Sequence, residues 1–216
     1  MSLDVAAAFQ IQALTAYHLL HTVHDLKAGA TVLVHAIGGG LGLFVTQLAV
    51  MAGARVIGTV GSDGKSRKPI ELGAGCVIDR RNEDFIERVM AFTEGGGVDL
   101  AIDSLGADTL DRTFNCVRYL GHVISIGEAE GMPFQNLRER LIPRSLTFTR
   151  FHAGHVLHYG ELWRNGLDFV IGAIGRGELE VPIVARYALE NAREMHARLE
   201  ERGVSGKLLL GMPGHT

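Results

Sequence analysis

The sequence predicts an α/β fold built on a doubly wound parallel sheet, and three observations predict it. Short Val/Ile-rich runs alternate with helical segments at about 20 to 25 residues per unit, the rhythm of strand–helix–strand crossovers. The runs are apolar throughout rather than alternating, as strands buried on both faces are. The first run, in "VLVHAIGGGLG" (Val32 to Gly42), passes directly into a cluster of glycines and then a helix.

In order along the chain, Asp4 to His24 reads as a helix, with apolar residues at Val5, Phe9, Leu14, Leu19 and Leu20 and no Pro or Gly. Thr31 to Ala36 is a short buried strand. Gly40 to Met51 is a helix apolar nearly all round, which implies cover on most sides. Ala54 to Val60 is the second strand. A charged helix, Asp63 to Leu72, is expected under Ser62 as N-cap and disturbed by Pro69. "CVIDR" is the third strand, and Asn82 is expected to cap a helix reaching Thr93. Val98 to Asp103 is the fourth strand, Ala107 to Val117 a helix, and "GHVISIG" the fifth strand. After Gly127 the rhythm changes: "SLTFTRF" is a sixth strand, and Tyr159 to Arg176 a long helix with the single Trp. Val184 to Tyr187 is extended, Leu189 to Glu201 an amphipathic helix, and "GKLLLG" a last strand. About six strands with helices on both faces, plus a C-terminal helix–strand return, is the expected architecture.

Bulk composition narrows the function classes. With 216 residues, 47% of them hydrophobic, a sizeable core is expected. A net charge of -3 argues against a nucleic-acid partner, which needs a basic face against phosphates. Two cysteines, Cys76 and Cys116, and no CxxC give no disulfide framework or cysteine-based metal site, which fits a reducing compartment and a cytoplasmic protein. No apolar run reaches membrane-spanning length, and the N-terminus does not read as a secretory signal.

The glycines carry the chemistry. A helix N-terminus offers unpaired N–H groups and the positive end of the macrodipole. A pyrophosphate can sit there only where no side chain intervenes. The strict G-x-G-x-x-G fingerprint is not met; what stands is Ala36-x-x-Gly39-Gly40-Leu41-Gly42. Its place between the first strand and the following helix is the context a dinucleotide site requires, against a merely structural turn. The end of the second strand chooses the dinucleotide. An NAD site would show an acid there for the ribose 2′-OH, and Val60-Gly61 has none. Ser62, Lys65 and Arg80 are expected to bind a 2′-phosphate, so NADP(H) is the expected cofactor. Arg67 and Lys68 read as a solvated helix face, and Asp63 as a first-turn acid.

With "VLVHAIGGGLG", "GARVIGTVGSDGK", "ELGAGCVIDRRNEDF", "GGGVDLAIDSLGADTLDRTFNCVRYLGHVISIG" and the closing "GKLLL", the chain closely resembles the quinone oxidoreductase branch of the medium-chain dehydrogenase/reductases from Asp4 to Leu210. The resemblance implies a Rossmann fold binding NADPH, hydride delivery to quinones, enones or related electrophiles, and dimers joined through the sixth strand. It implies pyrophosphate contacts at Gly39, Gly40, Leu41 and Gly42, and a 2′-phosphate contact at Lys65. A family tyrosine over the adenosine phosphate falls on Arg80. The turn at Asp103, Ser104 and Gly106 is implied near adenine and ribose. The turn after the fifth strand, often Gly-Asn, is Gly127-Glu128 here; a cofactor contact is implied at Gly127, with an acid beside it in place of an amide that counts against that contact. Family members begin with a GroES-related barrel domain that walls the nicotinamide and carries the zinc ligands of metal-dependent relatives. The chain therefore reads as three parts: residues 1–24 leading in, residues 25–151 the NADP-binding domain, and residues 152–216 a return segment that would pack on such a barrel. No catalytic residue and no metal ligand, zinc included, is assigned.

Other clusters read plainly. His152, His155 and His158 lack a further carboxylate or cysteine and are expected at the surface or an interface. His35 is expected to pack beside the glycine turn, and Cys76 and Cys116 are small core residues. Ser104 with Asp103 fits a cofactor turn rather than a nucleophile. Two other readings stay open beside the leading one: an enoyl-thioester reductase, and a non-catalytic NADP(H)-responsive module.

Overall fold

A computed structural model of the chain describes residues 1–62, 64–131, 135–201 and 203–212. Six parallel strands form one sheet in the order β3-β2-β1-β4-β5-β6: β1 (Thr31–Val34), β2 (Arg55–Val60), β3 (Cys76–Asp79), β4 (Val98–Asp103), β5 (Val117–Ser125) and β6 (Thr147–Arg150). All five pairings are parallel, as continuous apolar strands require. Successive side chains point to opposite faces, so one strand feeds two cores. Val32 and Val34 join Leu14, Phe44, Leu48 and Val170 on one face; Leu33 joins Phe85, Val89, Leu110 and Phe114 on the other.

The first face is covered by α1 (Leu3–His18), α2 (Gly40–Met51) and α7 (Gly160–Gly175). Helix α1 begins one residue earlier than Asp4, because the Ser2 hydroxyl accepts from Val5 N at 3.3 Å, and it ends in a π-helical turn, Leu19–Val23. Eight of the twelve residues of α2 are buried, matching its all-round apolar sequence. The second face is covered by α4 (Phe85–Phe92) and α5 (Ala107–Thr113). A separate pair, β7 (Ile183–Ala188) and β8 (Lys207–Gly211), runs parallel with α8 (Ala192–Glu200) between them.

Two helix starts and one helix end differ from expectation: α5, expected to reach Val117, ends at Thr113 and passes through a 3-10 turn, Phe114–Cys116, into β5. Asp84, not Asn82, caps α4: its carboxylate accepts from Ile86 N at 2.8 Å, while Asn82 donates its amide to Asp79 at 2.8 Å. The helix expected from residue 63 shrinks to α3 (Arg67–Glu71), with Ser66 rather than Ser62 at its N-cap; Asp63 lies outside the described residues. Strand β5 starts at Val117, but its register jumps from Val117 to His122 against β4. Leu120, at φ +59°, turns the chain there, so the sheet proper begins near Gly121 as expected from sequence.

Candidate functional site

The strand order reverses between β1 and β4, and α/β sheets bind ligands in the crevice outside the C-terminal ends of strands at such a point. Two adjoining cavities, of about 260 and 210 Å³, lie there and share Ala36 and Gly39. The inner one is lined by Gln12, His35, Gly40, Leu41, Gly42 and Ser104 among others. The outer one reaches Gly61, Ser62, Lys65, Arg80, Leu105 and Glu130.

Glycine at this turn has several causes. Gly39 is the N-cap of α2, at φ -80° and ψ 165°, with no side-chain cap. The first carbonyl of the turn to receive a helical hydrogen bond is Gly39 O, from Leu43 N at 3.0 Å. A Cβ on Gly42 would lie 2.5 Å from the Ile37 carbonyl oxygen, and one on Gly38 would lie 2.8 Å from Lys65 Cβ and its carbonyl oxygen. Those two hydrogens are therefore demanded by the protein's own backbone packing. Gly40 differs: a Cβ there would meet Gln12 Oε1 at 2.2 Å, and that oxygen is buried without a partner among the described residues. The Gly38 carbonyl accepts from Ser205 at 3.0 Å, which ties the C-terminal segment to the turn.

His35 closes the base of the turn. Its Nδ1 lies 2.9 Å from the Thr59 hydroxyl and its Nε2 2.8 Å from that of Thr113. Burial pushes its imidazole down to about 3, with Arg80 adding to the effect, so the ring is neutral and structural. Asp103 Oδ1 accepts from Leu105 N at 3.2 Å and Gly106 N at 2.8 Å, which shapes the turn after β4; its Oδ2 is buried and unpartnered among the described residues. Burial raises this carboxyl to about 6, the two N–H donors and Arg80 oppose that, and Glu130 reinforces it.

At the outer rim, Arg80 follows β3 and lays its guanidinium over Gly61, where a Cβ would come within 2.9 Å of Nη2. The space that the small residue leaves is thus already filled by a cation. Arg80 pairs with Glu130, and its Nε has no partner among the described residues. The residues present fit a diphosphate with a further phosphate: a twelve-residue helix opening without a side-chain cap, and Lys65 and Arg80 on one rim.

Of the sequence-predicted residues, Gly39, Gly40, Leu41, Gly42 and Ser104 line the inner cavity, and Gly39, Ser62, Lys65 and Arg80 the outer one. Gly127 lines neither; it supports the site indirectly, since a Cβ there would lie 2.8 Å from the Ser104 carbonyl oxygen. The acid flagged at Glu128 points elsewhere and pairs with Arg150 at 3.4 Å; the acid that enters the cavity is Glu130, two residues on. No local sequence signal marks Gln12 and Glu130, because each reaches the site from a distant segment. His152 and His155 sit with ring centroids 5.1 Å apart, and no group of three or more metal-ligating side chains occurs among the described residues.

Comparison with known proteins agrees with this geometry. The sequence pattern of the zinc-binding dehydrogenase family matches residues 40–178, more than half of the chain. A quinone oxidoreductase of Pseudomonas aeruginosa is 34% identical over 209 residues, covering 96% of this chain and 64% of that protein. The solved structure of Escherichia coli quinone oxidoreductase complexed with NADPH superposes with a TM-score of 0.90 at 33% identity, over 97% of this chain and 65% of that one. A reducing polyketide synthase of Cochliobolus heterostrophus is 32% identical over 186 residues, covering 84% of this chain and 7% of that protein. The chain thus spans just under two thirds of the quinone oxidoreductases it matches. It belongs to the zinc-binding dehydrogenase family, within the quinone oxidoreductase branch of the medium-chain dehydrogenase/reductases, and corresponds to the cofactor domain of that branch.

Proposed function

We propose that the chain is the NADP(H)-binding domain of an oxidoreductase that passes hydride to a quinone or another α,β-unsaturated carbonyl. The observation that carries this reading is the uncapped start of α2, opening on a crevice whose outer rim holds Ser62, Lys65 and Arg80. The N–H groups of Gly40, Leu41 and Gly42 hold the diphosphate, helped by the helix macrodipole. Lys65 and Arg80 bind the 2′-phosphate, and Asp103 shapes the Ser104 turn beside the ribose. The chemistry supplied by the bound cofactor is donation of a hydride from C4 of its nicotinamide. Hydride transfer needs no protein base, so what the chain contributes is binding, orientation and exclusion of water, without zinc. The similarity to the NADPH-complexed Escherichia coli enzyme supports the choice of dinucleotide.

In this reading residues 152–216 pack on a barrel domain of the kind the family carries N-terminally, the protein works in the cytoplasm, and the exposed edge strand β6 joins two copies. Among the described residues no helix is long and apolar enough to cross a membrane. An enoyl-thioester reductase is the second reading, favoured by the similarity to a reducing polyketide synthase.

Titration with NADPH and NADH tests the cofactor assignment. NADPH binds more tightly, and Lys65→Ala and Arg80→Ala each weaken NADPH about tenfold or more while leaving NADH nearly unchanged. Equal affinity for the two dinucleotides in all three proteins refutes it. Benzoquinone and a crotonyl thioester, offered as acceptors, separate the two activities; turnover by this chain alone is slow or absent.

A further inference from the structure

We propose that Glu130 is a specificity-determining residue, which competes with the 2′-phosphate of NADPH for Arg80 and so narrows the preference for NADPH over NADH. This rests on the NADP(H) reading above. An acid at the end of the second strand is what usually receives an unphosphorylated ribose, and the sequence has none at Val60-Gly61. The fold supplies one from another direction. Glu130, in the loop after β5, lines the same cavity as Ser62, Lys65 and Arg80.

Glu130 is held there from three sides. Its backbone N donates to Leu105 O at 2.8 Å, the Thr109 hydroxyl donates to Oε2 at 2.7 Å, and Oε1 pairs with Arg80 Nη1. Arg80 is fixed in turn by its own backbone bond to Val60 O at 3.1 Å and by the bare Cα of Gly61 beneath its guanidinium. Side-chain exposures of 24% and 28% put both groups largely out of water, where charges act more strongly than at an open surface. A phosphate arriving at Arg80 therefore meets a carboxylate that already occupies the guanidinium and repels a second anion. A ribose hydroxyl meets no such repulsion and can donate to the same carboxylate. The neighbouring Asp103 shows the reach of this charge, since Glu130 adds to the upward shift that burial gives its carboxyl.

Glu130→Gln removes the charge but keeps the shape and an acceptor for Thr109. Wild-type and variant chains are titrated with NADPH and NADH at one ionic strength, with thermal melts to show both are folded. The variant is expected to bind NADPH about tenfold more tightly and NADH no more tightly than wild type, raising the NADPH:NADH ratio by about that factor. Glu130→Ser, which removes the charge with less bulk, is expected to move the ratio in the same direction. An unchanged ratio in both variants, or one that shifts toward NADH, overturns the proposal while leaving the cofactor reading intact. A wild-type chain that binds neither dinucleotide overturns both, a result distinct from an unchanged ratio.

Discussion

At the N-terminal edge of the sheet, His24, Lys27, Asp99 and Arg118 line a cavity of about 350 Å³, larger than either cavity at the C-terminal edge. Its polar groups all have partners, Lys27 pairing with Asp25 at 2.5 Å. Asp99 accepts from Thr31 N at 2.7 Å and from Arg118 Nε at 2.6 Å, and Arg118 also donates to Tyr119 O. His24 Nδ1 lies 3.1 Å from His122 Nδ1, and His122 Nε2 lies 2.9 Å from the Thr149 hydroxyl. At the C-terminal edge, by contrast, Gln12 Oε1, Arg80 Nε and Asp103 Oδ2 are all buried without partners among the described residues. Buried polar atoms normally find a partner, and several orphans together mark a place where something else is meant to complete them. Unsatisfied polar atoms, rather than the size of the hollow, distinguish the crevice from the N-terminal cavity, although His18 Nε2, lining neither, also lacks a partner among the described residues.

Glycine substitution should have the most unequal effect at the two ends of the strands. Gly42→Val would drive its Cβ into the Ile37 carbonyl oxygen, and overpacking of that kind costs about 3 kcal/mol. A melt should show a drop of roughly 6 to 12 °C and a titration should show dinucleotide binding lost. Gly29→Ala at the other edge meets no atom within 4 Å and has only its φ of +82° to strain it. It should cost about 1 kcal/mol and leave binding intact.

Acidification is expected to have the next largest effect. Burial holds His35 down to about 3 in the folded chain and His122 to about 4, with His24 adding to the latter. In the unfolded chain both titrate near 6.5, so between about 6.5 and 4 the unfolded state binds more protons and stability falls as pH falls. Asp103 works the other way: it keeps its proton to about 6 when folded but loses it near 3.8 when unfolded, so its contribution falls as pH rises through that window. Two imidazoles against one carboxyl leave a net loss on acidification. Urea midpoints at a series of pH values should show this, and His122→Asn should flatten the slope; an unchanged slope would mean that the N-terminal-edge histidines titrate freely.

The smallest effect expected is at Arg118, whose side chain is 44% exposed in its ion pair with Asp99. Arg118→Ala should change stability by no more than about 1 kcal/mol and dinucleotide affinity not at all. A loss of affinity would show that the larger cavity belongs to the binding site.

Much of this protein is legible locally. The strand cores, the extent of α2 from Gly40 to Met51 and the long helix with Trp163 follow from periods of hydrophobicity and from glycine punctuation, which depend on neighbours a few residues away. Caps were less legible. Asn82 and Asp84 are both good N-cap residues two positions apart, and the choice fell to Asp84 because Asp79 engages Asn82 in the turn before it. From sequence, the glycine turn reads as room for a ligand. In the fold, Gly38 and Gly42 make room for the chain itself, and only Gly40 opens toward a side chain that lacks a partner.

Taken alone, the sequence determined the α/β class, the strand–glycine–helix turn and the missing acid at Gly61, because each is written within one short segment. The order of strands across the sheet, the guanidinium of Arg80 lying over Gly61, and the arrival of Gln12 and Glu130 at the crevice were decided only in three dimensions. Contacts between segments dozens of residues apart depend on how helices and loops pack onto the sheet, and no local pattern encodes where those side chains meet.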